Sequence, residues 1–108
     1  MVDAYAVTIH TDLMRADEAV AAANRIEPAS IPSATRRSFH LIEAARAHSL
    51  RRDNVAVVYL LNRSYTESPE TTRFNVFAHS TVSELTASGS AVLREDTRRL
   101  AQDLGVVV

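Results

Sequence analysis

Cysteine is missing from the 108 residues. That excludes a disulfide framework and a thiolate metal site, and it suits a reducing compartment. Lysine is missing as well, all twelve basic residues being arginine. Glycine does not occur before Gly89, so the turn residues of tight β-hairpins are lacking along most of the chain. No apolar run approaches the length of a membrane span, and Asp3 stands where a signal peptide would carry positive charge. A cytoplasmic protein without a membrane partner is the expectation. The net charge of −1 offers no general attraction for nucleic acid.

What is present fits one domain. A chain of 108 residues and 11.9 kDa buries roughly two-thirds of the surface that its unfolded form exposes. Two architectures compete for it. "AYAVTIH" alternates Tyr5, Val7 and Ile9 with smaller residues, and "NVAVVYLL" is rich in β-branched residues. With "RFNVFAH" these could be strands of a small α+β sheet forming a ligand-binding or enzymatic domain. The helical template also fits, because Val2, Tyr5, Ala6, Ile9 and Leu13 recur at i, i+3, i+4, i+7 and i+11. The shortage of turn residues favours the all-α reading.

Helix punctuation supports the same choice. Ser33 after Pro32 predicts a long helix over about 33–51, and Asp53 or Asn54 caps a second one running to about Ser64. Ser68 followed by Pro69 predicts a further start. Beyond it the chain forms either one helix to Ala87 or a short turn and a second helix capped by Asn75. A last helix turns Leu93, Thr97, Leu100, Ala101 and Leu104 inward and stops at Gly105, with "VVV" folding back on its final turn. The expected organisation is a single domain over 1–108, with a hairpin over 2–27, a hairpin over 33–66 and terminal helices over 68–105.

The two hairpins read as a repeat. "VAAANR" from Val20 and "VYLLNR" from Val58 lie 38 residues apart, and at the same offset His10 matches His48, Thr11 matches Ser49 and Ala19 matches Val57. Paired helices at such a period are how α-solenoids are written, each hairpin needing a neighbour to cover its apolar face.

The stretch from "DEAVAAANRIEPASIPSATRRSFHLIEAARAHSL" to "TRFN", together with the ending "LAQDLGVVV", resembles the C-terminal tetratricopeptide-like region of actinobacterial helix-turn-helix transcriptional regulators. Those proteins carry an "EAL" helix, a "DPxxLPSxxRR" connector, a "HLLDLARAH" helix and a terminal "LARRLGV". The resemblance runs from about Asp12 onward and is most specific at "IPSATRRSFHLIEAARAH". It implies five to six helices and a protein- or peptide-interaction, sensor or dimerisation domain. The family's phage-repressor-like DNA-binding domain has no counterpart in these residues, so direct contact with nucleic acid is not expected.

On the tetratricopeptide register, Leu41, Ala44, Ala45, His48, Val57, Leu61 and Ser64 take packing positions. Phe39, Ile42, Arg46, Ser49 and Leu50 then face a groove, joined through the repeat by Ala4, Thr8, Thr11 and Asp12. Arg46 is the expected anchor for a partner's carboxylate. With few repeats one end stays uncovered, and a homodimer through Tyr5, Ile9 and the outer sides of Val2 and Val7 follows.

Catalytic and metal chemistry find no constellation. His40 and Glu43 stand at two-ligand spacing on one helix, but no third ligand is legible, and a solvated or packing pair is the expectation. His10 and His48 read as packing groups between helices. Arg36, Arg37, Arg51 and Arg52 have acidic neighbours and make no clear phosphate patch. Ser80, Ser83 and Ser88 lack the glycines of a nucleophile elbow. No enzyme and no cofactor are expected.

Overall fold

Helix is the only regular structure among the described residues, which are 7–8, 15–88 and 93–106 of the computed structural model. The elements are α1 (Ala16–Asn24), a single 3-10 turn (Pro28–Ser30), α2 (Ala34–Leu50), α3 (Asn54–Glu67), α4 (Pro69–Arg73), α5 (Val76–Ser88) and α6 (Arg94–Leu104). The sheet alternative is thereby overturned. "NVAVVYLL" opens α3, whose buried residues Val57, Val58 and Leu61 follow helical spacing, and "RFNVFAH" spans the end of α4 and the start of α5. None of the helices formed by described residues is long and apolar enough to cross a membrane.

Capping sets the boundaries. The Ser33 hydroxyl accepts from the Arg36 N–H at 3.3 Å, Asp53 Oδ1 from Ala56 N–H at 3.2 Å and Asn75 Oδ1 from Ala78 N–H at 3.0 Å, each satisfying a donor that the first turn leaves open. Asn75 therefore resolves the choice between one helix and two after Pro69. Ser68 precedes Pro69 as predicted, but its hydroxyl pairs with Thr71 Oγ1 at 2.7 Å instead of capping a backbone N–H.

Helices α2 and α6 end alike. At α6, the N–H of Val106 reaches Ala101 O at 2.9 Å and that of Gly105 reaches Gln102 O at 3.2 Å, with Gly105 at φ 73°. At α2, the N–H of Asp53 reaches His48 O at 3.2 Å and that of Arg52 reaches Ser49 O at 3.0 Å, with Arg52 at φ 56°. Both are Schellman closures, which require one left-handed residue. Val106 packs back on the core, while Val107 and Val108 lie outside the described residues.

The long helix α2 is the centre of the fold. Its Ile42 and Ala45 join Val57, Val58 and Leu61 of α3, Val82 and Leu85 of α5, and Leu100 and Leu104 of α6 in the main core. Its Ala44 and Ala47 meet Ala19, Val20, Ala22 and Ala23 of α1 in two smaller clusters. Alanine on both sides of that contact lets the helices approach closely, so α2 is covered on two sides. The predicted packing residues Leu41, Ala44, Ala45, Val57, Leu61 and Ser64 are all buried, and His48 is half-buried. Leu93, Thr97, Leu100, Ala101 and Leu104, the inward set, are all buried.

Most of the first helix of the hairpin expected over 2–27 lies outside the described residues, including Ala4, His10 and the dimer-face residues Val2, Tyr5 and Ile9. Val7 and Thr8 are helical. Val7 is fully buried against Ala22, Ala23 and Ala44, which corrects its assignment to an outer face: the small α1 side chains leave a space that its isopropyl group fills.

Candidate functional site

The connector from α1 to α2 is fixed by its own turn and by one arginine of α2. Pro28 starts the 3-10 turn, and Ser30 Oγ closes it by donating to Glu27 O at 2.6 Å. Arg37 then fastens the next stretch, donating from Nη1 to Ile31 O at 2.8 Å and from Nε to Glu67 Oε2 at 2.9 Å. Held in this way, the connector and the first half of α2 border an open cleft of about 890 Å³, within the size range of binding pockets.

Its walls are mainly apolar. Ile26, Ile31 and Pro32 come from the connector side, and Phe39, 49% exposed, comes from α2. Thr8, Thr35 and Thr71 add hydroxyl-bearing side chains, while Arg25, Glu27 and Arg36 are exposed residues at the margin. Two polar side chains, His40 and Glu43, lie deeper in α2 and are only 6% and 7% exposed.

These two groups define the chemistry of the cleft. Nδ1 of His40 is buried and has no hydrogen-bond partner among the described residues. Burial penalises the charged imidazole and holds its pKa below the ordinary histidine value. Glu43 accepts from Thr8 Oγ1 at 3.2 Å and from Arg46 Nη1 at 3.4 and 3.5 Å. All three contacts are longer than the 2.7–2.9 Å typical of charge-assisted bonds. The pair stands three residues apart on one helical side. Among the described residues no three His, Asp or Glu side chains gather as a metal site would require.

The residues predicted to line a groove separate in space. Thr8 and Phe39 line the cleft. Ile42 does not: it is fully buried in the main core, because α3 and α5 cover the side of α2 on which it lies. Arg46 lies one turn beyond the cleft against Glu43, so its guanidinium does not stand as an anchor between Phe39 and Leu50. Ser49 donates to Arg46 O at 2.6 Å within its own helix, and Leu50 is half-buried at the helix end. Neither lines the cleft. Thr11 and Asp12 fall outside the described residues. His40 and Glu43 are visible in sequence by their spacing, but not as buried groups, since the connector and Thr8 that enclose them come from elsewhere in the chain.

No protein-family model, curated protein or solved structure matches this chain. The functional reading therefore rests on the cleft and on the sequence resemblance.

Proposed function

We propose that the chain is an interaction module of a transcriptional regulator, with no enzymatic activity of its own, that takes up a peptide segment of a partner protein in this cleft. One observation carries the reading: a half-exposed aromatic side chain, Phe39, stands beside apolar connector residues and above two buried polar groups. An apolar trough with a few convergent polar groups is what a peptide-receiving site needs, the first for affinity and the second for orientation. The resemblance of "IPSATRRSFHLIEAARAH" to the tetratricopeptide-like region of actinobacterial helix-turn-helix regulators supports the same assignment, because that stretch contains the end of the connector, residues 31–33, and the cleft side of α2. A second copy of the chain is one source of such a segment, which makes homodimerisation part of the proposal. The cytoplasm is the proposed compartment.

Selection from a random decapeptide display library tests the reading, with the 108-residue chain as bait. The wild type should enrich peptides that contain a bulky apolar residue, and Phe39→Ser should lose them. Phe39 is exposed, so the variant should keep its helical circular dichroism. Identical peptide pools from the two baits would refute the cleft as the receiving site.

A further inference from the structure

We infer that the segment entering the cleft carries a lysine beside its apolar residue, with the ammonium group settling between the Glu43 carboxylate and Nδ1 of His40. This rests on the interaction reading above and adds the partner's chemistry to it. Among the described residues the Glu43 oxygens have only contacts of 3.2 Å or longer and keep capacity to accept a closer donor. Nδ1 of His40 has no partner among the described residues although the side chain is more than nine-tenths buried, and buried polar atoms are rarely left so. His40 and Glu43 both line the same cleft.

The two sites call for a donor. A carboxylate only accepts, and a neutral imidazole carrying its proton on Nε2 accepts at Nδ1. An ammonium group supplies three N–H donors and no acceptor. Its four-carbon stem covers apolar surface as lysine stems do elsewhere, and here Phe39 and Ile31 offer that surface. The exposed Arg25 and Arg36 would favour an acidic segment, but they share the margin with Glu27 and lie in screening solvent. Glu43 is buried, so its charge is screened less.

The peptides selected by the wild type should pair an apolar residue with lysine. Remaking one of them with norleucine in place of that lysine keeps the stem and removes the charge, and should weaken binding about tenfold by fluorescence polarisation, the usual effect of losing one charged hydrogen bond. Selection with Glu43→Gln, checked for unchanged circular dichroism, should keep the apolar preference and lose the lysine. Peptides with no charge preference, or with acidic residues enriched, would overturn the inference and leave the interaction reading standing. Failure to enrich any peptide above the Phe39→Ser background would overturn both.

Discussion

Ser38, Ser64 and Thr72 close a polar knot where α2, α3 and α4 meet. Ser38 Oγ donates to Ser64 O at 2.9 Å and lies 3.1 Å from Thr72 Oγ1, which in turn reaches Ser64 Oγ at 3.1 Å. All three side chains are fully buried. Ser38→Ala removes a hydroxyl from a site that water cannot enter, so we expect a loss of about 1–3 kcal/mol in urea unfolding. A change inside the surface range of about 0.5 kcal/mol would mean that the knot contributes little. His40 gives a pH dependence. Burial lowers its folded pKa, so the unfolded chain takes up a proton more readily than the folded one. Stability is then fully present above about pH 6.5, the ordinary histidine value, and is lost as pH falls through it toward the lowered folded value. His48 acts in the same direction, burial being opposed by Asp53 and reinforced by Arg51. The urea midpoint should drop between pH 7.5 and pH 5.5, and by less in His40→Gln. Ser38 had no signal in the sequence, since a serine in a helix reads the same buried or exposed.

Helix ends were the most legible elements. Short polar residues placed just before apolar periodic runs mark Ser33, Asp53 and Asn75, and these caps act on backbone donors only three residues away. The two Schellman closures differ in one respect: Gly105 takes the left-handed position at α6, whereas Arg52 takes it at α2. A left-handed residue with a β-carbon costs roughly 1–2 kcal/mol. Gly105→Ala meets no atom of the described residues within 4 Å of the added carbon, so its expected destabilisation of about 1 kcal/mol is backbone strain. Arg52→Gly should be neutral or stabilising by thermal denaturation, the relief of strain offsetting the greater freedom of glycine in the unfolded chain. Equal losses in the two variants would contradict this account.

At the scale of the molecule, one core joins α2, α3, α5 and α6, and Leu61 lies in it fully buried. Leu61→Ala should cost about 2–5 kcal/mol, a large share of the stability of a domain this size. Since that cluster joins α3, α5 and α6 to α2, circular dichroism and tyrosine fluorescence should report one shared transition in the variant as in the wild type. Separate transitions would divide the core that the contacts unite.

The sequence by itself determined where α2 and α3 begin, where α6 ends and which side of α6 turns inward, because capping and helical periodicity act over a few residues and need no partner. It left open whether "NVAVVYLL" is strand or helix, since its β-branched residues suit both until α2 supplies a surface for the stripe of Val57, Val58 and Leu61. Only the tertiary structure decided which sides of α2 are covered. It buried Ile42 under α3 and α5, set Arg46 against Glu43 and left Phe39 at a cleft. The reason is geometric: spacing along a helix says which residues share a side, but only the neighbouring chain segments decide whether that side meets core, solvent or an enclosed space.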